Sequence, residues 1–192
     1  SAKPFVSFLP QCFSSDQHFE YRIDVTVTHP EAALLVDSHT HLDQYPPHEL
    51  EAVVARALET GVGAIIVAGT TLDSSLQCVA LAQENAALFA GVGIHPLEVQ
   101  VPVDEEIYGR LRSIARSSPR VVAVSEIGLD FSPAAPDLAL QYQAFREQVR
   151  LARELQFPII FHSRELPGHP EGHQEALRVL RESLAITQDT DL

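Results

Sequence analysis

The sequence contains no tryptophan, no methionine and only two cysteines, Cys12 and Cys78. Two cysteines this far apart exclude both a disulfide framework and a cysteine-built zinc knuckle, and read as free thiols. Cations are scarce as well: 13 Lys and Arg stand against 26 Asp and Glu, for a formal charge of −13. A protein that grips nucleic acid by phosphate neutralisation normally shows a basic surface. A phosphate-bearing substrate would therefore have to be met here by bound cations rather than by side-chain charge. Long apolar runs are also missing, since no window approaches the roughly 18 uninterrupted apolar residues of a spanning helix. Residues 1–30 lack a basic start followed by an apolar core, the mark of a secretory leader. These absences lead us to expect a soluble protein of the reducing cytoplasm with no membrane partner. The 45% of residues that are hydrophobic suffice for a core in one domain or a little more.

From residue 34 a pattern repeats: a short apolar run, a polar or Gly-containing cluster, then an amphipathic stretch. The runs Leu34–Val36, Ala64–Ala68, Leu88–Val92, Val121–Val124 and Pro158–Phe161 are too short for helices, and several are rich in Val or Ile. Helices are predicted near Pro47–Thr60, Ser74–Asn85, Asp104–Ser117, Asp137–Gln156 and His173–Ser183, with Pro46-Pro47, Gly61 and the cap Asp73-Ser74 as punctuation. In the fourth, Leu138, Tyr142, Phe145, Val149 and Ala152 form one apolar face. Alternating strands and helices imply a parallel sheet with right-handed crossovers, which an open doubly wound sheet would also satisfy. A (β/α) barrel is favoured because polar strings end the strands, as at the mouth of such a barrel. Residues 1–33 stand outside the pattern and are expected to be an N-terminal appendage, with an alternating stretch in 17–28 able to form an edge strand or hairpin arm.

His39 and His41 lie in H-T-H after the first run, where alternate residues point the same way and both imidazoles can reach one ion. The plainer alternative is two histidines bonded to backbone. Glu126 closes Val-Val-Ala-Val-Ser, where a carboxylate is costly without an ion or donor. A salt bridge to Arg164 would be the alternative, but Gly128 opens room for a ligand. His162 ends the fifth run in the corresponding place. Three strand ends with metal-capable side chains make His39, His41, Glu126 and His162 the expected metal ligands, with Glu126 also the catalytic carboxylate. His95, in G-V-G-I-H-P, either contacts substrate at the mouth or holds its turn with Pro96. Asp37, Asp43 and Asp130 are placed to orient imidazoles from behind; Asp43 could instead cap a helix and Asp130 fix a turn. His18, His29, His48, His169 and His173 are expected to be solvated, the last two close enough to the mouth to touch it.

The strings V-D-S-H-T-H-L-D (36–43), G-V-G-I-H-P (91–96), E-I-G-L-D (126–130), Q-x-x-A-F-R-E-Q-V-R-L-A-R-E-L (141–155) and P-I-I-F-H-S-R (158–164) together resemble the TatD family over about residues 34–182. The resemblance implies a TIM-type barrel of the metal-dependent hydrolase kind with deoxyribonuclease activity. It implies two divalent ions (Mg²⁺, Mn²⁺ or Zn²⁺), with His39 and His41 on one, Glu126 bridging and His162 on the other. His95 and Arg164 would contact the DNA substrate, which is held through metals rather than net charge. Such barrels continue with three more strands, supplying another His after the sixth and an Asp after the eighth. This sequence holds about five βα units over 34–192 and lacks the last three, where a full barrel takes about 250 residues. Leu97 also stands where the family motif has a second histidine. A hydrolase of small esters, amides or other phosphoesters, and an inactive truncated paralogue, are the alternatives.

Overall fold

Strands and helices alternate along the chain as the spacing of apolar runs requires. The computed structural model describes residues 6–8, 21–23, 35–166 and 171–184. Two short strands, β1 (Val6–Phe8) and β2 (Tyr21–Ile23), pair antiparallel, the second inside the stretch expected to form a hairpin arm. The rest of the expected appendage, Cys12, His18, His29, His169 and the 185–192 tail lie outside the described residues.

Five parallel strands follow: β3 (Leu35–Thr40), β4 (Val62–Ala68), β5 (Leu88–Val92), β6 (Val121–Asp130) and β7 (Ile159–Arg164). The helices α1 (Pro47–Glu59), α2 (Leu72–Glu84), α3 (Glu105–Ala115), α4 (Leu138–Leu155) and α5 (Glu171–Leu184) alternate with them. The strands lie side by side in chain order. A doubly wound sheet reverses its order at a switch point, and this one does not. Side chains of β3 and β6 also meet across the two strands between them (His39 Nε2 to Glu126 Oε1, 2.7 Å), which requires the sheet to curl. The result is an arc of a TIM-type barrel. Its concave side carries Ala64, Ile66 and Phe89 with Val36, Val122 and Ile160 against them. The helices cover the convex side, where Phe145, Val149, Leu151 and Ala152 of α4 are buried against Val124, Ile127 and Leu129 of β6. Leu138, expected on that face, is instead exposed. Among the described residues no helix is long and apolar enough to cross a membrane.

The strands reach further than their apolar cores suggested. β3, β6 and β7 run on through His39, Glu126 and His162, so these residues lie within strands rather than beyond them. The cap of α2 is Thr71, whose hydroxyl accepts the Ser74 N–H at 3.0 Å, in place of the expected Asp73-Ser74.

At the end of the barrel where β6 begins, the Arg120 guanidinium donates to the carbonyls of Ala82, Asn85, Ala86 and Leu88 and lies 4.0 Å over the Phe89 ring. One side chain thus ties the end of α2, the following turn and β5 to the start of β6.

Near the opposite end, Gly128 pairs with His162 across β6 and β7. Its φ is +152°, and a Cβ there would lie 1.9 Å from the His162 carbonyl oxygen. Gly128→Ala is expected to lower unfolding stability by about 3 kcal/mol in urea denaturation, by combined backbone strain and strand displacement. A loss below about 1 kcal/mol would mean that β7 can move away without cost.

Candidate metal centre

The site is built around an irregularity in β6. Ser125 pairs with Ile160 and Ile127 with Phe161, so Glu126 is the extra residue of a β-bulge. A bulge re-aims the side chain it carries. Glu126 has φ of +58°, the left-handed region that a non-glycine residue occupies at a cost of order 1–3 kcal/mol. The residue is buried, at 3% exposure.

Imidazoles from β3, the turn after it and the loop after β5 surround it. His39 Nε2 lies 2.7 Å from Oε1, while His41 Nε2 and His95 Nε2 lie 3.8 Å and 3.7 Å from Oε2. The His39 contact is close but is not aligned as a hydrogen bond, and buried Oε1 has no hydrogen-bond partner among the described residues. Donor atoms of His39, His41 and Glu126 lie within 4.8 Å of one another, and so do those of His95, Glu126 and His162. Glu126 is common to both groups. A buried carboxylate oxygen lacking a hydrogen bond among imidazole nitrogens fits a divalent ion, since both donor types bind such ions and an isolated buried charge is costly.

The second nitrogen of each ring indicates what the first can do. His41 Nδ1 lies 3.1 Å from the Ala68 carbonyl, which can only accept. Nδ1 therefore carries a proton, and in the neutral ring the lone pair is on Nε2, facing Glu126. His162 Nε2 lies 3.0 Å from Asp130 Oδ2, so Nε2 carries a proton, and in the neutral ring the lone pair is on Nδ1. His95 is the reverse of His41, because its Nδ1 accepts the Leu97 N–H at 3.1 Å. Burial, with help from neighbouring His162, pushes its pKa down to about 4. It is then neutral at pH 7, with its one proton on Nε2 facing the carboxylate. That makes His95 a donor, although its position also lies within reach of a shared ion.

Asp130 is fully buried. Burial alone would raise its pKa, but hydrogen bonds from Ser132 and His162 and the charge of Arg164 outweigh it and hold the carboxyl below its usual range. Arg164 lies 3.5 Å from Asp130 and is 56% exposed, so its ion pair is with Asp130 rather than Glu126. Among the described residues the other two aspartates bond to groups other than imidazole rings: Asp37 accepts the backbone N–H of His39 at 3.2 Å, and Asp43 accepts from Ser74 Oγ at 2.7 Å. Asp43 thus joins the turn after β3 to the start of α2, and does not cap α1, whose N-cap is Pro46. His48 is exposed, and His173 Nδ1 meets Ser163 Oγ at 2.6 Å. The Ala68 carbonyl and the Leu97 N–H, which decide the protonation of two rings, are backbone groups with no side-chain signal.

Fold and cluster together define a (β/α) barrel with a histidine–carboxylate centre at the C-terminal ends of its strands. The profile described as TatD related DNase matches residues 36–187, and the chain belongs to that family. It is 36% identical over 131 residues to the uncharacterized metal-dependent hydrolase YjjV of Escherichia coli, covering 67% of this chain and 50% of that protein. It is 38% identical over 118 residues to the 3'-5' ssDNA/RNA exonuclease TatD of Cronobacter turicensis, covering 62% and 44%. The crystal structure of the E. coli YjjV protein superposes with a TM-score of 0.67 at 32% identity, covering 77% of this chain and 55% of that one. A TatD family hydrolase from Entamoeba histolytica shares the fold, with a TM-score of 0.67 at 21% identity, covering 80% and 55%. The chain spans about half the length of the relatives it matches.

The positive φ at Glu126 and the burial of its charge both oppose folding when no ion is bound. Glu126→Gly relieves both, so in the presence of chelator this variant is expected to be at least as stable as the parent, by up to about 1 kcal/mol. Urea unfolding of the two proteins in EDTA provides the comparison. A loss of more than about 1 kcal/mol would mean that the bulge is not strained.

Proposed function

We propose that this chain carries the metal centre of a TatD-type nuclease that hydrolyses phosphodiester bonds in DNA. The observation that carries this reading is the shared carboxylate of Glu126, buried without a hydrogen bond to Oε1 between two groups of histidines. His39, His41 and Glu126 would hold one divalent ion, and Glu126 with His162 would take part in holding a second. Bound ions would supply the charge that lowers the pKa of a water and steadies phosphate oxygens, the work that basic residues do elsewhere.

The remaining residues have protein-side tasks. The Ala68 carbonyl keeps the His41 lone pair on the nitrogen that faces Glu126. Asp130 orients His162, as a carboxylate behind a ligating imidazole does. His95, neutral and with Nε2–H facing inward, donates to a phosphate oxygen, and the exposed Arg164 guanidinium offers a second contact. Asp37 steadies the backbone beneath His39. The same reading treats residues 1–33 as an appendage to a barrel portion spanning 34–192. It places the protein in the cytoplasm, which suits the free, buried thiol of Cys78. The Cronobacter relative named as an exonuclease of single-stranded DNA and RNA makes a single strand the first substrate to try.

Calorimetric titration of the metal-free 192-residue chain with Mn²⁺ is expected to show binding that Glu126→Gln abolishes or weakens by at least about 10-fold. Hydrolysis of single-stranded DNA with Mn²⁺ should fall at least about 100-fold in the same variant. Equal rates for parent and variant would overturn the proposal. His95→Phe should keep Mn²⁺ binding while lowering kcat/KM by about 10- to 100-fold, since it removes a donor and not a ligand. Loss of metal in that variant would instead make His95 a ligand.

A further inference from the structure

Two buried glutamines of α4 have tasks that go beyond packing. Gln141 and Gln148 are 0% and 1% exposed and stand seven residues apart, two helical turns or about 10.5 Å along one face. Each places its amide against the backbone of one residue and satisfies both of that residue's polar groups, Gln141 reaching a second carbonyl as well. Gln148 accepts the Ile94 N–H at 2.6 Å and donates to the Ile94 carbonyl at 3.0 Å. Gln141 accepts the Asp130 N–H at 2.8 Å and donates to the Asp130 carbonyl at 3.1 Å and the Pro136 carbonyl at 2.9 Å. An amide buried in this way is costly unless paired, so neither side chain is filling space by default.

The residues they hold matter to the site. Ile94 immediately precedes His95, and Asp130 is the carboxylate behind His162. The β5 end is held from a second direction too: Ser75 Oγ accepts the Gly93 N–H at 3.1 Å, and the His95 N–H reaches the Thr70 carbonyl at 2.8 Å. A third glutamine of α4, Gln143, makes the same two-bond grip on Val103, at 2.9 and 2.8 Å. Val103 belongs to the connection before α3 and carries no site residue, so Gln143 provides an internal comparison.

We propose that Gln141 and Gln148 are positioning residues: by fixing the backbone of Asp130 and of Ile94 to one rigid helix, α4 sets the distance between His162 and His95, whose ring centroids lie 4.2 Å apart. The inference rests on the reading of the rim as a metal centre. It adds that the His95–His162 side depends on α4, whereas the His39–His41 side does not. His39 and His41 are held instead by β3 and by the Ala68 carbonyl of β4.

The test uses metal-free 192-residue protein with imidazole ring signals assigned by NMR, followed by Mn²⁺ titration of the same samples. Gln148→Met, close in volume but unable to make either bond, is expected to shift the His95 and His162 ring signals and leave those of His39 and His41 in place. Gln141→Met gives the same comparison through Asp130, and stands in if Gln148→Met does not fold. Mn²⁺ affinity should fall about 10- to 100-fold in Gln141→Met, which acts through Asp130 on the ligand His162, and should be unchanged in Gln148→Met, which moves a donor, and in Gln143→Met, which loses the same two bonds elsewhere. Unmoved His95 and His162 signals in the glutamine variants, or an equal effect of Gln143→Met, would overturn the proposal. If the parent takes up no Mn²⁺, the metal reading itself fails, while the ring shifts still report whether α4 positions the two histidines.

Discussion

One additional residue in β6 governs the geometry of the rim. Without the bulge, the strand would alternate inward and outward in step with β7. Because Ser125 and Ile127 face consecutive residues of β7, Glu126 is turned out of register and its carboxylate comes among rings from β3, the turn after it and the loop after β5. The backbone accepts an unfavourable φ to do this, and the carboxylate loses its water. Both costs are local, and both are of the kind that bound charge would offset.

The histidines around that carboxylate are chemically unalike although their side chains are the same. Neighbouring backbone and carboxylate groups divide them into rings that present a lone pair and a ring that presents a proton. A carbonyl behind His41, a carboxylate behind His162 and an N–H behind His95 are sufficient to make that division.

Much of this was legible in the residues. Short apolar runs alternating with amphipathic stretches specified five βα units, and metal-capable side chains at three strand ends pointed to one rim. Boundaries were less legible where function interrupts the pattern. The polar residues of β3 and the Ser125–Glu126 pair of β6 look like loop by hydropathy, yet they are hydrogen-bonded strand. The partner of Asp43 was out of reach because Ser74 is 31 residues away on another helix. Thr71 and Asp73 are both competent caps, and only the path of the chain leaving β4 selects the first. The bulge has no signature in composition, and the glutamines of α4 read as ordinary polar residues in an amphipathic helix until their burial is known.

The two ends of the barrel are held by different kinds of interaction. At the rim, burial keeps His95 neutral and hydrogen bonds keep Asp130 ionised, both with pKa values below the usual range, so protons work against this arrangement as the solution becomes acid. At the base, order depends on Arg120, whose guanidinium stays charged under the same conditions while it grips four carbonyls. Acid therefore bears on the molecule with a direction, working against contacts at the mouth while the Arg120 bonds at the floor keep their charge. Such a floor would give a partly opened chain a fixed place from which to close again when neutrality returns.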